Sequence, residues 1–494
     1  MKRYLRTLAI LLPLVAACVD GDDPANPTLD ADFIGYSEPA DRQTTCGNCH
    51  ISKQAAWVQT AHSQAFATLE NIGMDDNPVC QQCHTVSGWA NQADDSSGFF
   101  AVGANAKHFY KDVQCESCHG PGAPHVLNPE STQPLTTIFA DTGATVGCAA
   151  CHSGDHHPFV EEWRSSAHGN GTHVSTNPSC QGCHNGEVAL RRFDRDAKFI
   201  EMSGTPGQQI TCAVCHDPHG RDNPAQLRLP INEPSLENNL CMNCHQRNFA
   251  PVMTSTRGAH SPQGPLLIGI AGWIPPDFNY DSTLALSSHG SERNPRLCAG
   301  CHVESFTITD QITGQFQVSS TGHRFKAIPC VDANGVPTGA ANCPDGERRF
   351  NACTSSGCHA SGAIASGLRN LLRDQLTTNY IDVMWKDKDN DGQLDPLPID
   401  SGLLAQVRFT TPGDFSATGA GATTLTVGEG VWFNVDLVKN ADGSFGVHNP
   451  FYAEALLLAS LQALRDRYTY LPAPPAGLQA RMNRRATMLG VRSR

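Results

Sequence analysis

The pentapeptide Cys-x-x-Cys-His occurs eight times in this chain, starting at Cys46, Cys80, Cys115, Cys148, Cys180, Cys212, Cys241 and Cys298. A ninth, longer copy runs from Cys353 through Cys358 to His359. Two thiols at this separation can add across the vinyl groups of one porphyrin, and the adjoining histidine can then ligate its iron. Each unit thus carries the chemistry to hold one c-type haem, nine in all. Attachment falls to Cys46 and Cys49, Cys80 and Cys83, Cys115 and Cys118, Cys148 and Cys151, and Cys180 and Cys183. It continues with Cys212 and Cys215, Cys241 and Cys244, Cys298 and Cys301, and Cys353 and Cys358. The proximal iron ligands are His50, His84, His119, His152, His184, His216, His245, His302 and His359. Zinc sites and disulfides also use paired cysteines, but neither requires a histidine directly after each second cysteine. For Cys353 and Cys358 a disulfide is the competing reading, and His359 favours haem.

Of 21 histidines, twelve lie outside the motifs, enough to cap every iron from its second side. The distal set expected is His62, His108, His125, His168, His219, His260, His289, His323 and His448. His156, His157 and His173 are then surplus, although one of them could displace a member of that set. His62 and His168 share a Trp-x4-His phrase, from Trp57 and from Trp163. His125 and His219 follow their own motifs in small-residue turns, and His448 precedes a capped helix. The eight methionines bear no repeat relation to the motifs and read as packing residues. Two nitrogen ligands per iron give low-potential haems with no open position.

These residues must be positioned by a chain with a visible repeat. The first six motifs start 34, 35, 33, 32 and 32 residues apart, and Asn77 to His84 matches Asn177 to His184 at all but two positions. The resulting division is a signal peptide (1–17), a flexible lipid-anchored tether (18–44) and a first tri-haem module (45–135). A second module with the seventh motif (136–250) follows, then the eighth and ninth motifs with a disulfide loop (251–360). The C-terminal region (361–494) carries a calcium loop and a capping helix. The fold expected is mainly irregular and α, short helices and loops around a haem chain with little β. Ser52 to Leu69 reads as a helix, 361–385 as helical, and 404–437 as a small hairpin because apolar and polar residues alternate. A last helix begins after Asn449-Pro450, with Ala453, Leu457, Leu461, Leu464 and Tyr468 on its apolar face.

The amino terminus carries Lys2, Arg3 and Arg6 before an apolar run too short to span a bilayer, and then Val15-Ala16-Ala17-Cys18. Cleavage before Cys18 would leave that cysteine to be lipidated; ordinary cleavage nearby is the alternative. Cys330 and Cys343 remain as a natural disulfide pair in an oxidising compartment. A formal charge of −13 argues against nucleic acid as a partner. Asp387, Asp389, Asp391, Gln393 and Asp395, with Gly392 at the turn, have the spacing of a calcium loop. Pro398 stands where the bidentate Glu of an EF-hand would be, and a solvated acidic loop is the alternative.

Cys115-Glu116-Ser117-Cys118-His119-Gly120-Pro121-Gly122, Cys215-His216-Asp217-Pro218-His219-Gly220 and Gly446-Val447-His448-Asn449-Pro450 carry a wider likeness. On these phrases the chain resembles the multihaem c-type cytochromes of metal-respiring and related bacteria. The resemblance covers most of 45–360 and the final helix. It implies closely spaced bis-histidine haems that conduct electrons, often at the outer membrane. The function expected is therefore a carrier at the periplasm, outer membrane or cell surface, passing electrons to an extracellular acceptor or a partner cytochrome. An outer-membrane conduit or self-assembly is a further partnership it allows. The alternatives are an enzyme with one open-coordination haem and a subunit of an extracellular cytochrome filament. The Cys-x-x-Cys-Lys variant of nitrite reductases is absent, which weighs against the first.

Overall fold

Most motifs fold into a single helical turn: Pro78–His84, Cys115–His119, Cys148–Cys151, Gln181–His184, Cys212–Cys215 and Cys298–His302. The histidine N–H of a motif donates to the carbonyl of its first cysteine, at 3.0 Å from His50 to Cys46 and 2.9 Å from His216 to Cys212. One such turn sets residues three apart on one face, which is what two thioethers to one porphyrin require. The computed structural model describes residues 28–134, 147–154, 156–193, 209–252, 258–276, 278–280, 289–310, 312–355, 358–415 and 425–491. They divide into two units, one ending at Cys151 and the other starting at His152. The signal peptide and Cys18 lie outside the described residues. The fold is mainly irregular and α, and the strands described form just two antiparallel pairs, Tyr36–Glu38 with Gln43–Thr44 and Phe306–Thr309 with Phe316–Ser320.

In the first unit, residues 28–44 differ from the flexible tether expected of them. Phe33 is fully buried with Phe66, Val86, Phe99 and Tyr110. Tyr110 Oη donates to Phe33 O at 2.9 Å. The buried Glu116 carboxylate accepts from the N–H groups of Ile34, Gly35 and Gly122. The composition of the segment is polar, but its few apolar residues are pinned. The helix expected over Ser52 to Leu69 is also interrupted, running Ile51–Trp57, a 3₁₀ turn His62–Gln64, and Ala65–Ile72. Hydroxyls cause the break: Thr60 Oγ1 donates to Trp57 O, and Ser63 Oγ to Val58 O and Thr60 O. Side chains thereby take carbonyls that a continuous helix would use.

The second unit holds a protein core of ordinary kind. Helices Gly362–Leu376, Leu403–Thr410, Val427–Asp436, Pro450–Arg467 and Ala476–Leu489 bury Leu404, Val431, Val435, Leu456, Leu457, Leu461 and Leu464 completely. Two of these helices replace the hairpin expected over 404–437. Val431, Phe433 and Val435 alternate, but Gly430 just before them and Asn434 between them are buried too. A helix sheathed on all sides shows no single apolar stripe, so a period of two carries no information about it. Thr426 and Glu429 start it with a reciprocal capping box. Gly430 lets it approach the indole of Trp273, where a Cβ would lie 2.2 Å from the ring. The helix after Asn449 begins as expected, with Asn449 Oδ1 accepting from Tyr452 N at 3.2 Å. It too is buried beyond its expected stripe, including Ala455, Leu456 and Leu458. No helix among the described residues is long and apolar enough to cross a membrane.

Candidate haem sites

The duplicated Trp-x4-His phrase does the same work in both units. Trp57 Nε1 donates to Val113 O at 3.0 Å, and Trp163 Nε1 to Ile210 O at 2.8 Å. The carbonyl of the following histidine then accepts from the same partner residue, Val113 N to His62 O and Ile210 N to His168 O. Each tryptophan therefore pins the histidine five residues on beside the stretch that leads into the next-but-one motif, at Cys115 and at Cys212.

Seven motif histidines face another histidine at a telling separation. Ring centres are 6.3 Å apart for His50 and His125, His152 and His157, His216 and His323, and His289 and His359. They are 6.2 Å apart for His168 and His245 and for His302 and His448. A metal about 2.0 Å from one nitrogen of each imidazole, with ring centres about 1.1 Å further back, sets the centres about 6.2 Å apart. The spacing is too wide for ring stacking and fits an iron between the two rings. His184 has two such neighbours, His260 at 6.0 Å and His173 at 6.4 Å. His84 lies close enough to His62 for its charge, after burial, to depress the His62 pKa.

The other ring nitrogen is held in most of these histidines. Nδ1–H donates to a backbone carbonyl from His84 to Ala65 (2.6 Å), His125 to Thr132 (2.6 Å), His216 to Ala225 (2.7 Å), His289 to Val447 (2.6 Å) and His302 to Phe325 (3.0 Å). That fixes the tautomer and leaves the Nε2 lone pair for a metal. Burial works in the same direction, pushing His168 and His302 down to about 4 and lowering His216, His245, His289 and His323, so the ligating neutral form is kept.

One expected distal ligand is differently placed. His108 is exposed on the 3₁₀ turn Lys107–Tyr110, its ring 4.3 Å from Phe109. The turn buries Tyr110 and leaves His108 outside. His157, expected to be surplus, faces His152 instead, with Phe159 5.5 Å from the His152 ring. The signal was its nearness to its own motif, five residues downstream of His152. His219 is held by Asp217, Nδ1 to Oδ1 at 3.2 Å.

None of the eighteen motif cysteines is taken by a disulfide, and Cys330 is bridged to Cys343 with Cα atoms 6.0 Å apart. Contacts between thiols of different motifs were not legible in the sequence. Cys46 touches Cys115, Cys83 touches Cys151, Cys183 touches Cys244, and Cys241 touches Cys298. Spatial neighbours are thus mostly next-but-one motifs. In the acidic loop, one carboxylate oxygen each from Asp387, Asp389 and Asp391 converges within 4.8 Å. Asp387 Oδ1 is buried without a hydrogen-bond partner, and Lys439 Nζ sits 3.4 Å from Oδ2. The Gln393 amide turns to Asp391, and Asp395 N donates to Asp400.

Comparisons with known proteins agree with this chemistry. Residues 45–120 match the family model for cytochrome c554 and c-prime, and residues 205–250 that for the doubled CXXCH motif. The multiheme cytochrome MtrA of Shewanella baltica (strain OS185) is 26% identical over 237 residues, 42% of this chain and 65% of that protein. The chain is a multihaem c-type cytochrome. The match thus spans somewhat less than two thirds of that cytochrome's length. The crystal structure of the outer cell wall cytochrome OcwA superposes with a TM-score of 0.46 at 20% identity, covering 78% of this cytochrome and 75% of OcwA.

Proposed function

We propose that this cytochrome is a nine-haem electron carrier, exported and lipid-anchored through Cys18, that relays electrons at the periplasm, outer membrane or cell surface towards an extracellular acceptor or a partner cytochrome. Haem, once bound, supplies the Fe(III)/Fe(II) couple; everything else falls to the chain. The observation that carries the reading is the histidine pairing at 6.2–6.3 Å. Paired imidazoles saturate an iron, exclude substrate, and change little between the two oxidation states. Thiol contacts between motifs favour short hops, because attached macrocycles would be brought edge to edge. Low-spin signals alone in the oxidised protein by electron paramagnetic resonance, with no carbon monoxide uptake after reduction, are the expected result. A high-spin signal with about one carbon monoxide bound per chain would overturn the carrier reading in favour of an enzyme.

A further inference from the structure

Most of the paired histidines whose Nδ1 contacts are described lean on a neutral carbonyl; His448 leans on a buried anion. Its Nδ1–H donates to Asp442 Oδ1 at 2.5 Å, and the Asp442 side chain is wholly buried. The carboxylate also accepts from Gly446 N at 2.8 Å and from Ser444 Oγ. All three contacts are donors, so the group is set up as an acceptor and a carboxylate fills that place. Among the described residues its one ion pair is with His448. Asp217, the corresponding partner of His219, differs: Arg221 and the buried Arg228 approach its Oδ2 at 3.0 and 3.3 Å and neutralise it.

We propose that Asp442 is a potential-setting residue, giving the haem held between His302 and His448 the lowest reduction potential in the chain. The inference rests on the bis-histidine reading above. A carboxylate behind a ligating imidazole makes the ring a stronger donor, and an uncompensated buried charge disfavours adding an electron nearby. Both effects favour Fe(III) over Fe(II). Reduction takes one electron from the neighbouring donor and breaks no bond, and the proton stays between His448 Nδ1 and Asp442 Oδ1. The rings of His302 and His448 lie near-parallel, 14° apart, and the contact from His448 Nδ1 to Asp442 holds the His448 ring in that orientation. Such a haem resists holding an electron and passes it on.

The test is a potentiometric titration of the holoprotein followed by electron paramagnetic resonance, comparing wild type with Asp442→Asn. The expected result is one haem moved upward by at least tenfold in its reduction equilibrium, 59 mV for a one-electron step, with the others in place. Ser444→Ala is the second variant, in case Asp442→Asn fails to fold. Removing a competing donor leaves more charge on His448, so the same haem should move downward. An unmoved lowest potential in both variants overturns the proposal, as does a uniform shift of all haems. His448→Ala separates the two layers. If it goes high-spin while Asp442→Asn changes nothing, only the role of Asp442 fails. If it stays wholly low-spin, the ligand reading itself fails here.

Discussion

Glu162 supplies a direct link between a buried hydrogen-bond network and the proposed distal ligand His323. Its carboxylate is 1% exposed and accepts from Ser320 Oγ (2.6 Å), Thr321 N (3.1 Å), Thr321 Oγ1 (2.8 Å) and His323 N (2.8 Å). It therefore clamps the turn that presents His323 to His216. In Glu162→Ala the two hydroxyls can rotate to other acceptors, but the two backbone N–H groups cannot. Each orphaned donor costs about 1–3 kcal/mol, so the turn loses about 2–6 kcal/mol. The lower figure alone raises the detached fraction of His323 about thirtyfold, and carbon monoxide draws the detached form off. Titration of the reduced variant should show uptake of one carbon monoxide per chain, against none in wild type. Glu162→Gln should take up less, because its amide oxygen can still accept from both N–H groups while its NH₂ donates to Ser320. If His323→Ala binds carbon monoxide and Glu162→Ala does not, the clamp argument is wrong. If neither binds it, His323 is not the ligand.

His62→Ala and His157→Ala should each leave one iron five-coordinate, read as a new high-spin signal with all haems still attached, whereas His108→Ala should leave the spectrum unchanged. The reverse pattern for His157 and His108 would restore the assignment first expected from the sequence. Burial, outweighing the N–H groups of Ile34, Gly35 and Gly122, pushes the Glu116 carboxyl up to about 7 from an ordinary value of 4.5. The folded first unit then holds a proton that the unfolded chain releases, so stability should fall as pH rises from about 4.5 through about 7. Glu116→Gln should flatten the urea midpoint across that window, and an undiminished slope in the variant would refute the account. Excess calcium should raise the melting temperature through the buried Asp387 oxygen, and Asp387→Asn should remove the rise; an equal rise in both proteins rules the loop out.

What could be read from the chain follows from how local each constraint is. In the eight regular motifs, both cysteines and the adjoining histidine lie within five consecutive residues, so a single helical turn can present all three to one haem. The distal ligand comes from elsewhere, so its candidates were legible as a surplus of histidines while their partners were not. His323 faces His216 and His448 faces His302 through contacts that no spacing encodes. The Trp-x4-His repeat helped because the tryptophan fixes the histidine locally, through the same indole-to-carbonyl bond in both copies. It could not reveal that His62 lies by His84 whereas His168 faces His245. His108 misled for the converse reason, since the neighbouring Tyr110 wins the buried position and turns it outward.

The C-terminal misreading has a different origin, and it bears on why a haem protein carries such a core at all. Alternation over Val431, Phe433 and Val435 implies a strand only if the other face is polar and exposed, and here Gly430 and Asn434 are buried as well. The helices that enclose this stretch also deliver two histidine contacts to the haem sites. Asn449 caps the helix Pro450–Arg467 directly after His448, and Val447 O anchors His289. One turn at residues 447–449 thus places His448 against His302 and fixes the ring of His289, which faces His359. Loops around macrocycles can wrap a haem, but they cannot easily hold an uncompensated carboxylate such as Asp442 out of water. The buried helices can, and that is a structural reason for the ordinary protein core to sit beside the last two motifs.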